Sequence, residues 1–331
     1  MKEVKRNSQS PRGSEPARGG AAVRKKKKLT TPAKVLIAFI AVLLAGIICL
    51  SFLVFRKYSR IQSAQNQANQ LYTPSSEDTD IMDTTPAEVD PETGVISDFN
   101  PLYEKNNDTV GHISIPGTKL STPVVQGADN NYYLNHNFFR ESSLGVPFVD
   151  SRATIKQDYM STNITIYGHA AKDGSYFAPI KDYRTVDFYK KNPVINFDTI
   201  YGKGKYKIVG AFIAKVKNSA STADDPEEFN YQDYIDMSSE EQFNTYIAEV
   251  AKRSYFKTGV DVEYGDQLLT LSTCDDQIDS SDKTPYRMVV VARKIRGGES
   301  INADVSGASA NTDMLMPKAW QDKFKKANPY K

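Results

Sequence analysis

Leu268-Leu269-Thr270-Leu271-Ser272-Thr273-Cys274 is an apolar, β-branched run that ends in a thiol, and Arg287-Met288-Val289-Val290-Val291-Ala292-Arg293 is the next such run along the chain. Runs of this length and composition, set between turn signals, read as strands. Others occupy residues 110–115, 122–125, 145–149, 164–167, 194–197 and 205–216, with the two quoted runs extending over 267–274 and 286–295. So many short strands over some 200 residues, from about 98 to 296, predict a mostly β domain, a sandwich or barrel with one sizeable core. One stretch breaks the rhythm. Within 222–254, Ser238 and Glu241 form a capping-box signature, and Phe243, Tyr246, Ile247 and Val250 follow at the spacing of one helical face. This predicts a helix packed on the sheet just before the strand that carries Cys274.

Outside the β region the chain changes character. Residues 1–34 are basic, with Arg24 to Lys28 an unbroken cationic run, and Val35 to Phe55 are apolar and uncharged. Twenty-one helical residues cross a hydrocarbon core of roughly 30 Å. The run ends in Phe52-Leu53-Val54-Phe55-Arg56 rather than in small residues, so a retained transmembrane helix is expected, not a cleaved signal. Basic residues are denser before the span than after it, which predicts a cytoplasmic N-terminus and an extracellular main domain. A cationic run beside a membrane span does not read as a nucleic-acid site. The net charge of +2 hides a basic tail and a mildly acidic remainder. Residues 56–97 are polar and predict a linker that starts as a helix. Residues 297–331 read as a linker with a short amphipathic helix around Trp320 and Phe324: a mobile tail without catalytic role, with docking on the domain or contact with an anionic surface as alternatives.

The chain has two cysteines, and Cys49 lies in the membrane segment. Cys274 is thus a lone thiol in an oxidising compartment, which favours a nucleophile. Of three histidines, His112 alternates with Ile113 and Ile115 on a strand and reads as an exposed or structural residue, while His136 reads as a hydrogen-bonding loop residue. His169 ends the run Asn163-Ile164-Thr165-Ile166-Tyr167-Gly168-His169, where Gly168 is expected to let the backbone turn and bring the imidazole to a rim. A thiolate attacks a carbonyl, an imidazole protonates the leaving group, and an arginine can stabilise the oxyanion. Arg287 and Arg293 share one face of their strand. A hairpin with a long loop returns Arg287 beside Cys274 and leaves Arg293 roughly 20 Å further along, so Arg287 is the expected partner, and Arg293 a surface charge near the barrel end.

Residues 163–169 and 270–274, then Arg287 and Val289-Val290-Val291, closely resemble the signature blocks of the sortases, membrane-anchored cysteine transpeptidases of Gram-positive bacteria. Residues 108–118, 123–127, 132–136 and 168–177, and the inserted helix, resemble class B in particular. The resemblance covers about residues 98–296. It implies a closed β-barrel of about eight strands with an N-terminal helix and the helix before the Cys strand. It also implies a catalytic set of His169, Cys274 and Arg287, with Ser272 and Thr273 lining the substrate site, and no metal or organic cofactor. The implied partners are secreted proteins bearing a C-terminal Asn/Ser-Pro-x-Thr-x sorting signal, and an acceptor amine on a peptidoglycan precursor or a pilin lysine. A pilin-joining sortase and a hydrolytic cysteine protease are the neighbouring readings. Two departures stand out: His112 occupies a position where the family usually has Trp, and the 275–286 connection is long and acidic, which is expected to bear on substrate choice.

Overall fold

The computed structural model describes residues 30–74, 80–82, 89–216, 229–281 and 284–331. The cationic run 24–28 and the start of the 222–254 stretch lie outside the described residues. The chain divides into two units, Met1–Arg56 and Lys57–Lys331. In the first, the apolar residues of helix α1 (Thr31–Gln70) are exposed over an 18-residue window of mean hydropathy 3.0, long and apolar enough to cross a membrane.

In the second unit, eight strands close a barrel: β1 (Thr109–Ser114), β2 (Ser121–Val125), β3 (Phe148–Val149), β4 (Asn163–Tyr167), β5 (Val194–Thr199), β6 (Lys205–Lys215), β8 (Leu268–Cys274) and β9 (Tyr286–Lys294). Their order around it is β1-β2-β3-β4-β8-β9-β6-β5. Two short strands, β7 (Phe256–Lys257) and β10 (Ser309–Ala310), pair outside it. Each predicted run is a barrel strand, because alternating large apolar residues fill the interior. Ile164 and Ile166 of β4, Leu269 and Leu271 of β8, and Met288, Val290 and Ala292 of β9 all belong to one buried cluster.

Two pairings position the strand ends. β4 and β8 run parallel with Tyr167 opposite Ser272, so both strands leave the sheet at the same rim. β9 returns antiparallel to β8 and sets Arg287 directly opposite Cys274. The inserted helix α4 (Glu240–Arg253) covers the outer face, where Phe243, Tyr246 and Val250 bury against Phe212, Leu268, Val289 and Val291. Gly210 permits this close approach, since a Cβ there would come within 2.9 Å of Ser254. The cap lies one residue later than the sequence suggested: Ser239 Oγ accepts from Gln242 N, and Gln242 Oε1 accepts from Ser238 N.

The packed unit extends beyond residues 98–296 at both ends. Ala68, Tyr72, Val95 and Ile96, from the expected linker, are buried with Phe99 and Leu102, the latter in α2 (Asn100–Lys105). Ala308, Met314, Met316 and Trp320 are buried with the barrel core, although a mobile tail was expected there. Trp320 lies in α5 (Lys318–Phe324); α3 (Val186–Lys191) completes the helices. Arg293 is also not a surface charge. Its side chain is 0% exposed and donates to Glu299 and Asp261, at 2.5 and 3.2 Å for the shortest contacts.

Candidate active site

Cys274, Arg287 and His169 reach one rim because β4 is parallel to β8 and β9 antiparallel to it. All three line a cavity of about 270 Å³, together with Ser272, Thr273, Leu134, Phe148, Tyr167 and Gln232. Cys274 is a free thiol, partly exposed. Alternation puts Ser272 and Cys274 on the face of β8 that points away from the Leu269–Leu271 core, and Arg287 on the matching face of β9. Thr273, on the Leu269–Leu271 side, also lines the cavity, because β8 ends there at the barrel rim.

Hydrogen bonds lock the ends together. Gly168 N donates to Ser272 O at 3.1 Å, and Thr273 Oγ1 donates to Gly168 O at 2.7 Å. The residue before His169 is thus fastened to the two residues before Cys274. Gly168 is not needed for a turn, since it is absent from the positive-φ glycines. It is needed for space: a Cβ would stand 2.7–2.9 Å from the Phe177 ring. His169 Nε2 lies 2.8 Å from the carbonyl of Leu134. A carbonyl only accepts, so Nε2 carries the proton in this bond and proton exchange by the neutral ring falls to Nδ1. Arg287 Nη1 donates to Thr284 O at 2.6 Å and to Tyr286 O at 2.9 Å, which holds the guanidinium beside the thiol strand.

Ser272 and Thr273 line the cavity, yet both are buried and their hydroxyls are engaged. Ser272 Oγ pairs with Tyr231 Oη at 2.6 Å, and burial pushes that phenol up to about 12, so it stays neutral. Tyr167 Oη donates to the buried Asp150 at 2.8 Å and accepts from Gln232 at 3.2 Å. Arg152 forms a bidentate pair with the same carboxylate. Sequence reading missed this Arg152–Asp150–Tyr167–Gln232 network: Asp150 and Arg152 are two residues apart, but Tyr167 and Gln232 come from separate segments that carry no mark of them. At the foot of the strands, Thr270 Oγ1 donates to Asn163 Oδ1 at 2.9 Å and so accepts from Tyr246 Oη at 2.7 Å.

Among the described residues of the acidic connection after Cys274, no carboxylate lines the cavity. Asp275 is buried against Arg184, Asp276 pairs with Lys181 at 3.2 Å, and Asp279 accepts from Ser281. Asp282 lies outside the described residues. The other two histidines are elsewhere. His136 stacks on Tyr132 at 4.0 Å, and its Nδ1 donates to Tyr132 O. His112 is buried under Tyr72, with ring centroids 4.5 Å apart, and burial lowers it to about 4. Among the described residues, no three His, Cys, Asp or Glu side chains gather as a metal-ligand set.

A closed barrel with a free thiol, an imidazole and a guanidinium around one cavity has the parts of a cysteine acyl-transfer enzyme. The family model "Sortase domain" matches residues 113–295, more than half of the chain. Sortase B of Staphylococcus aureus (strain NCTC 8325 / PS 47) is 34% identical over 199 residues, covering 60% of this chain and 75% of the relative. Sortase B of Listeria monocytogenes serovar 1/2a is 29% identical over 202 residues, covering 61% and 75%. The crystal structure of sortase B from B. anthracis in complex with AAEK1 superposes with a TM-score of 0.56 at 25% identity, covering 73% of this chain and 99% of that one. The chain belongs to the sortase family. Within it the protein is class B-like, a cysteine transpeptidase.

Proposed function

We propose that this sortase cleaves a C-terminal sorting signal of the Asn/Ser-Pro-x-Thr-x type in secreted proteins and transfers them to a cell-wall amine. Cys274 attacks the Thr carbonyl as a thiolate. Arg287 donates to the oxyanion that forms, and His169 protonates the departing amine. A thioacyl enzyme remains, an amine attacks it, and His169 takes up the proton. Residues 35–55 anchor the enzyme, with the N-terminus cytoplasmic and the catalytic domain extracellular. Ser272 and Thr273 act from within the wall of the site, by holding its shape rather than by offering free hydroxyls.

The observation that carries this reading is the pairing of Cys274 with Arg287 across β8 and β9, beside a cavity that His169 also lines. The test uses the protein with sorting-signal peptides and an amine acceptor, following the acyl-enzyme by mass spectrometry. Cys274→Ala is expected to form no adduct and no transfer product, and wild-type transfer by that variant would refute the mechanism. Omitting the acceptor separates transfer from hydrolysis, since a hydrolase gives the same yield without it.

A further inference from the structure

The C-terminal segment lies beyond the residues matched to the family, yet it is fixed to the catalytic unit. Asn311 Nδ2 donates to Ser254 O at 2.9 Å, Leu315 N to Lys252 O at 2.9 Å, and Tyr330 Oη to Tyr255 O at 2.8 Å. Its helix α5 reaches the connection that follows Cys274. Lys323 Nζ donates to Gln277 O at 2.6 Å and to Ile278 O at 3.3 Å. Trp320 Nε1 donates to Gln277 Oε1 at 3.4 Å, and Ile278 packs against the core cluster that contains Trp320.

The connection in turn holds Arg287. Thr284 Oγ1 donates to Asp275 O at 3.0 Å, and Thr284 O accepts from Arg287 Nη1 at 2.6 Å. A path of contacts therefore runs from α5 through the described residues of the connection to the guanidinium. We propose that Lys323 is a positioning residue for the transpeptidation reaction, acting through the 275–286 connection to fix the guanidinium of Arg287. Lys323 touches no reacting atom. It fixes two carbonyls of the connection, beside the Trp320–Gln277 bond and the packing of Ile278. An oxyanion donor is effective only when it is aimed before charge develops. Looseness in the connection thus costs rate at the acylation step rather than peptide affinity.

The inference rests on Cys274 and Arg287 acting as proposed above, and the experiment judges the two separately. The full chain in nanodiscs is assayed with a fluorogenic Asn-Pro-Ala-Thr-Ala peptide and a primary amine, with hydrogen exchange read over residues 276–281. Lys323→Met keeps the stem and removes the donors. It is expected to speed exchange there, to lower kcat about three- to tenfold, and to leave KM within about twofold. Lys323→Arg restores both. In an Arg287→Lys background the loss from Lys323→Met shrinks, because residues acting as one unit are not additive. Trp320→Phe, which retains the packing, gives a smaller change in the same direction. Unchanged exchange in Lys323→Met, or faster exchange with unchanged kcat, overturns the proposal. So does a full loss in the Arg287→Lys background. Retained transfer by Cys274→Ala would instead refute the nucleophile, and the exchange measurement would still decide whether Lys323 holds the connection.

Discussion

Thr273 shows how one hydroxyl can serve a site without facing substrate. Its bond to Gly168 O fastens the end of β4 to the end of β8, so the thiol and imidazole strands cannot splay apart. Thr273→Val keeps the shape and removes the donor. Leaving a partly buried carbonyl without this donor costs about 1 kcal/mol, so chemical denaturation is expected to show a loss of that size. Transfer activity is expected to fall about tenfold or more, because the misplacement is at the strand end that presents His169. A variant with lost stability and full activity would show that this bond is structural only. Cys274 opposite Arg287 was legible in the sequence because strand alternation and a hairpin fix that pair, and His169 was legible as the residue that ends the run 163–169. The partners of Ser272 and Thr273 were not, since Tyr231 and Gly168 reach them only through the folded sheet.

At the scale of elements, the segment that follows the apolar run is more than a spacer. Tyr72 donates to Asp198 at 2.7 Å and stacks on His112, and those two residues are register partners on β1 and β5. His112 titrates near 4 when folded and near its ordinary 6.5 when unfolded. Between these values the unfolded chain binds a proton that the folded one refuses, so stability falls as pH drops from about 6.5 to 4, by up to about 3 kcal/mol. Above 6.5 the residue adds no slope. His112→Phe keeps an aromatic ring under Tyr72 and is expected to flatten this part of the stability–pH curve. An unaltered slope in urea titrations across that window would contradict the burial argument. The segment reads as a linker because Ala68, Tyr72, Val95 and Ile96 are too sparse to show periodicity, and they become a core only with Phe99, Leu102, Val125, Phe148 and Ile200.

For the whole catalytic unit, the segment after Ile295 closes the structure. Glu299 accepts from the buried Arg293 of β9 and from Lys207 of β6, and these bonds hold its carboxyl down at about 2. Glu299→Gln leaves a buried guanidinium with only part of its compensation, and a loss of about 3 kcal/mol is expected in equilibrium denaturation. A neutral result would mean that Asp261, Asp266 and the Lys294 carbonyl suffice for Arg293. In sequence, Arg293 looked like a surface charge because its acidic partners, Asp261 and Glu299, lie on either side of the barrel strand and carry no local signature.

The strand runs along the chain, the thiol at the end of β8 and the arginine opposite it were determined by the sequence itself, because period-two alternation and a hairpin are local properties. The apolar run 35–55 was equally plain, since length and charge suffice to define it. What only the tertiary structure decided is which distant groups meet. The parallel pairing of β4 with β8 brings His169 to the rim of Cys274, and α5 reaches the connection that holds Arg287. Such contacts join residues tens to more than a hundred positions apart, and their energy comes from burial and hydrogen bonding between elements that carry no mark of their partners.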